Sequence, residues 1–155
     1  MLGIISRKYD DMSRSGGDQT EMENFILTYY QQIKDGSVSV NKYIRLIYEY
    51  IVNGLETGLF RFDAKKANSQ IRFIEEHCHH TEGRLAPGLF KLEIWQKAAV
   101  SAIFGIVDEK GNRQFRECVV IMGRQNGKTL IGTGIGLFKT RTKWLPWLLK
   151  LIGKL

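Results

Sequence analysis

Gly123-Arg124-Gln125-Asn126-Gly127-Lys128-Thr129 is the stretch whose residue types and spacing fit a definite chemistry. A loop that grips a triphosphate needs small residues, so that backbone N–H groups can wrap the phosphates. It also needs a Lys for the β- and γ-phosphates, a Ser or Thr hydroxyl for magnesium, and a helix N-terminus behind it. Here Gly127 allows close approach, Lys128 is the cation and Thr129 the hydroxyl on the metal side. One element departs: the standard first Gly would fall at Met122, and the available Gly is one place later, at Gly123. The alternative is an ordinary strand–turn–helix. Arg124 has two readings as well. It either projects at the γ-phosphate, as an arginine finger supplied in cis, or is a solvated loop residue.

Other candidates are weaker. Gln96 follows Trp95, and a Gln amide can match both the donor and the acceptor edge of adenine. The plainer reading is an exposed helical Gln beside a core Trp. His77-Cys78-His79-His80 invites zinc, but four consecutive residues cannot easily surround one tetrahedral ion, and no second ligand pair follows at suitable spacing. We read the cluster as a polar helix end, where His is favoured. There is no nucleophile elbow. Glu75 and Glu76 are adjacent and point apart on a helix.

The elements that position the loop follow from periodicity. Phe115–Met122 is strand-like, and its unbroken apolar run from Cys118 suits a strand buried on both faces, as in a parallel sheet. A helix is expected from near Thr129 to about residue 138. Gly132, Gly134 and Gly136 sit inside it at about 1 kcal/mol each relative to Ala. Upstream, a helix from Glu21 carries Phe25, Ile26, Tyr29, Tyr30 and Ile33 on one stripe and stops at Asp35-Gly36. A second, at about 40–56, presents Tyr43, Ile44, Ile47, Tyr48, Ile51 and Leu55. A third runs from Asp63, an N-cap, to about His79, burying Ala67, Ile71, Phe73 and Ile74. Gly83 and Ala86-Pro87-Gly88 break the chain, and a fourth helix at about 91–104 carries Leu92, Trp95, Ala99 and Ile103. Asp108–Asn112 is a turn cluster.

The expected fold class is α/β: an N-terminal helical lead-in, then the first strand–P-loop–helix of a P-loop NTPase sheet, incomplete. The domain reading is a mobile arm over 1–20, a helical lead-in over 21–106 with the Trp-Gln element, the start of an ATPase core over 107–140, and an atypical tail over 141–155. A lone strand leaves open edges, an aggregation hazard.

Composition bounds these readings. The 155 residues are 43% hydrophobic and 25% charged, which excludes wholesale disorder and a fibrous repeat. Two cysteines are too few for a disulfide framework, and a reducing cytosol is the better reading. No apolar run approaches the ~20 residues that span a bilayer. Of the net charge of +7, +5 sits in residues 139–155, which hold five basic residues and no acid. The remaining 18 basic residues against 16 acidic ones do not by themselves argue for a DNA-binding surface. Trp144–Ile152 is apolar and basic, either a short segment that touches a membrane or an unpacked, out-of-frame end, and we prefer the second.

From residue 24 to 138 the chain resembles the N-terminal ATPase portion of the large terminase subunit of tailed bacteriophages. The resemblance rests on the order of Tyr29–Gly36, Phe60–Asp63, Phe73–His80, Leu92–Lys97, Ile103–Gly105 and Gly123–Thr129. It implies ATP and Mg2+ as cofactors and Trp95-Gln96 at the adenine site. It also implies that the loop, an accepted variant in that family, binds through Gly123, Arg124, Gln125, Asn126, Gly127, Lys128 and Thr129. Arg124 and Lys128 would serve catalysis, and Thr129 would meet the magnesium. The implied setting is the cytoplasm of a bacterial host. The implied partners are phage DNA, a portal protein, a small terminase subunit and other copies in a ring. Family members continue into an acidic strand and a nuclease domain, whereas residues 130–155 contain no Asp or Glu. We therefore expect a truncated or frameshifted prophage gene whose product binds ATP without turning it over. The alternatives are a non-enzymatic helical interaction module derived from a terminase, or a small protein that associates with membranes through its tail.

Overall fold

The computed structural model describes residues 23–80, 85–121, 123 and 127–143. In chain order the elements are α1 (Phe25–Lys34), α2 (Lys42–Glu56), β1 (Arg61–Phe62), α3 (Ala64–His77), α4 (Ile94–Gly105), β2 (Ile106–Val107) and α5 (Lys128–Lys143). They divide into two compact units. One is drawn from Met1–Ile71 and Leu92–Cys118, the other from Arg72–Lys91 and Val119–Leu155. The arm over 1–20 and the apolar tail from Trp144 lie outside the described residues.

In the first unit, α1 starts where Asn24 caps it, its Oδ1 accepting from the N–H groups of Ile26 at 3.1 Å and Leu27 at 3.4 Å. Such a cap contributes about 1 kcal/mol. The predicted stripe of Phe25, Ile26, Tyr29, Tyr30 and Ile33 is buried throughout. The helix ends at Asp35, and Gly36 takes the left-handed φ of +81° that a side chain would resist. Asn41 caps α2 in the same way, through Tyr43 and Ile44. Asp63 caps α3, its Oδ1 accepting from Lys66 N–H at 3.0 Å. Helix α1 packs on α2 and α4. Tyr29 meets Tyr48 edge-on with ring centroids 5.0 Å apart. Burial pushes the Tyr48 phenol well above its ordinary range.

Two helix faces differ from expectation. On α2, Tyr48, Ile51 and Val52 are buried, but Tyr43 and Ile47 are exposed, and Ile44 and Leu55 are half-buried. The apolar arc of α2 is wider than its neighbours cover. On α4 the buried positions are Gln96, Ala98, Val100, Ser101, Phe104 and Gly105, while Trp95, Ala99 and Ile103 are only half-buried. Its apolar residues run nearly all round, so periodicity cannot choose a face. Small residues decide instead: a Cβ at Gly105 would lie 2.9 Å from Ala67 Cβ and 2.6 Å from the Phe62 ring.

The sheet is small and antiparallel, pairing Arg61 with Val107 and Phe62 with Ile106. A bridge from Val107 to Arg113 extends it around the Asp108–Asn112 turn. Asp108 Oδ1 accepts from Asn112 N–H at 2.8 Å, and this bond holds the carboxyl below its usual range. A depressed folded value stabilises above the unfolded pKa, near 3.9, and that contribution disappears as pH falls through the lower folded value. We expect the protection of the Asn112 amide, corrected for intrinsic exchange, to fall as pH drops below about 4. Asp108→Asn should remove that pH dependence.

In the second unit, Cys78–His80 lies beside Gly88–Phe90, bridged at His79 and Leu89. Phe90 N–H donates to Cys78 C=O at 2.8 Å and His80 N–H to Gly88 C=O at 2.9 Å. Helix α5 packs on the last turns of α3 and on Cys78. Phe138 meets Phe73 edge-on at 5.3 Å. Phe73 is half-buried rather than fully so. A Cβ at Gly134 would stand 2.8 Å from Ile74 Cγ1 and 3.2 Å from Cys78 Sγ, so this glycine sets how closely α5 approaches. Around Gly132 and Gly136 the space is open.

The strand expected over Phe115–Met122 is not formed among the described residues. Phe115–Ile121 has no regular structure; Val119 is 87% exposed and Ile121 94%. A strand buried on both faces needs flanking strands and covering layers. Among the described residues none pairs with it. The protein is α-rich with a two-stranded antiparallel sheet. Its mixed α/β character holds, and among the described residues there is no parallel sheet to aim the loop.

Candidate phosphate-binding loop

Helix α5 begins at Lys128, one residue earlier than expected, and runs to Lys143. Gly127, just before it, has a φ of +72°, a conformation that turns the chain into the helix and that glycine adopts freely. Ile131 N–H donates to Gly127 C=O at 2.9 Å, closing the first turn. The amides of Lys128, Thr129 and Leu130 therefore have no carbonyl one turn back inside the helix. No acidic residue stands in that turn to offset the positive end of the helix dipole. Thr129 is exposed, as is Gly123 on the other side of the loop. Arg124, Gln125, Asn126 and Met122 lie outside the described residues.

Gln96 is in the first unit, and it is buried rather than exposed. Its Oε1 accepts from Glu93 N–H at 2.9 Å, closing a capping box that starts α4. That role was readable as Glu93-x-x-Gln96, with Glu in place of the usual Ser or Thr. Gly134, by contrast, looked from the sequence like one of three equal helix defects, and only packing distinguishes it.

The His-Cys-His-His run is dispersed by the chain reversal it sits in. His77 stacks on Phe73 with centroids 4.7 Å apart, and His80 meets Phe90 edge-on at 5.1 Å. Cys78 is buried against α5, and burial pushes its thiol up, away from the thiolate that metals bind. Among the described residues no group of three His, Cys, Asp or Glu side chains is gathered. Also among them, no helix is long and apolar enough to cross a membrane.

A left-handed glycine leading into a helix that opens Lys-Thr, with no acid in its first turn, is a donor set suited to an anion. Residues 94–142 match the family described as terminase large subunit, ATPase domain. The match takes in α4 from its first residue, Trp95-Gln96, the whole 123–129 loop and nearly all of α5, and over it the chain carries a terminase large subunit-like ATPase part. Residues 24–93 lie outside it. No curated protein and no solved structure matches the chain.

Proposed function

We propose that the chain is the nucleotide-binding part of a viral DNA-packaging motor protein, a terminase large subunit that holds ATP with Mg2+ at Gly123–Thr129. The observation that carries this is the start of α5 at Lys128 behind a left-handed Gly127, inside the stretch that matches the ATPase family. The residues present fit the ligand in kind. The first-turn amides of α5 would donate to phosphate oxygens, the exposed Thr129 hydroxyl would face the magnesium, and Lys128 would supply the cation. Arg124 would add charge beside the γ-phosphate. ATP with Mg2+ supplies, when bound, the phosphoryl group whose transfer to water drives a motor of this kind.

Turnover asks for more than binding. A carboxylate must help hold the magnesium, and a water must be positioned. Residues 130–155 contain no Asp or Glu, so that stretch does not supply the carboxylate. The proposed setting is the cytoplasm of a bacterial host, with phage DNA, a portal, a small terminase subunit and further copies as partners.

The test is a thermal melt with and without ATP–Mg2+. At ten times Kd the ligand adds about 1.4 kcal/mol, a shift of roughly 3–6 °C for a chain of this size. Lys128→Ala should remove the shift while leaving the ligand-free Tm near that of the parent. No shift at millimolar ATP, or one that survives Lys128→Ala, would overturn the reading.

A further inference from the structure

The apolar face left open on α2 is the strongest unexplained surface. Tyr43 is 65% exposed, Leu46 57%, Ile47 53% and Tyr50 55%. Their spacing of three and four residues places all four on one stripe, two turns long. The stripe lies beside the face that Tyr48, Ile51 and Val52 bury in the first unit, and Tyr50 at its edge meets the buried Phe60 ring while staying half open to solvent. Four bulky side chains in a row, two of them tyrosines, form a patch rather than scattered surface apolar residues.

The charges beside the stripe choose its occupant. Lys42 and Glu49 are seven residues apart, so they share one heptad position on the flank of the stripe, where Glu49, with Arg45 and Glu56, stands near enough to Tyr30 of α1 to act on its phenol and the four charges cancel. Two are basic and two acidic, so the flank has no net attraction for an anionic membrane or for nucleic acid. It does complement itself. Turn a second copy of α2 antiparallel about a two-fold axis between Leu46 and Ile47. Tyr43 then faces Tyr50 of the other copy, and Leu46 faces Ile47. Lys42 comes within about one helical turn of Glu49 of the other copy, and the same pair recurs across the axis. A parallel arrangement would set Lys42 against Lys42 and Glu49 against Glu49.

We propose that α2 is a homodimerisation helix, joining two copies of this chain through an antiparallel, two-fold contact over Tyr43, Leu46, Ile47 and Tyr50. This contact closes at two copies, and it does not depend on nucleotide binding. It rests on four side chains a side, which puts it at the small end of specific interfaces, below about 1,200 Å2 in total. The dimer is therefore weak and reversible.

Sedimentation velocity on the full chain, from about 1 μM to about 500 μM, tests this. The expected result is a monomer that converts to a dimer as concentration rises, and no further. Ile47→Glu should weaken the dimer by about tenfold or more, since it carries a charge into the centre of the contact. Because Ile47 is exposed in the monomer, the circular dichroism spectrum and Tm at low concentration should not change. Lys42→Glu alone and Glu49→Lys alone should each weaken the dimer, by like charges facing across the axis. An equimolar mixture of those two variants should restore it, because each flank then meets its opposite. A monomer throughout the range would overturn the proposal. So would a dimer indifferent to Ile47→Glu, or variants that fail to recover on mixing; the last result would mean that the stripe is covered by something other than an antiparallel copy.

Discussion

Phe60→Ala is expected to lower the stability of the protein by about 3–5 kcal/mol, and Tm by roughly 10 °C or more. Phe60 is buried at the point where the chain leaves α2, and its ring is met edge-on by Tyr50 at 5.4 Å and Phe115 at 5.9 Å. Removing the ring deletes both aromatic contacts and leaves a cavity that short β1, starting at the next residue, cannot collapse to fill. The same ring explains Gly54. A Cβ there would overlap Phe60, so Gly54→Ala should cost about 1–3 kcal/mol even though alanine is the better helix former. Once Phe60 is alanine the overlap is gone, and Gly54→Ala should become neutral or stabilising. A double-mutant cycle measured by denaturant unfolding would then show coupling of about 1 kcal/mol or more. Additive effects would mean that Gly54 is constrained by something other than this ring.

The three glycines of α5 give the second prediction, because one substitution should act with opposite signs within a single helix. Gly134→Ala pushes a methyl into Ile74 and Cys78 and should destabilise by about 1–3 kcal/mol. Gly132→Ala and Gly136→Ala enter open space and should stabilise by up to about 1 kcal/mol each, since they remove backbone freedom from the unfolded chain. Thermal melts of the three variants decide the matter. If all three shift Tm the same way, α5 does not pack on Ile74 and Cys78 as described.

These cases show what the sequence could reveal. Caps at Asn24, Asn41 and Asp63 are local interactions, within three residues of the groups they bind, so helix starts are readable from type and position. The buried stripe of α1 is readable because one face alone is apolar. The faces of α2 and α4 are not, because apolar residues cover more of each helix than its neighbours do, and only the fold chooses among them. At the loop, Gly127-Lys128-Thr129 announces a helix start and an anion site through residue type, and the helix does start there. The run Cys118–Ile121 announces a strand, yet a strand depends on hydrogen-bonded neighbours, and a period-based reading cannot see whether they exist. Gln96 was read by its possible ligand, while its amide oxygen meets a backbone N–H three residues away.

The bare segment Val119–Ile121 has a bearing on how the protein behaves in bulk. Three consecutive exposed β-branched side chains, in a stretch that pairs with no strand among the described residues, favour association with an extended apolar peptide. Solubility should therefore depend on three residues in front of the loop as well as on a net charge of +7, most of which lies in residues 139–155.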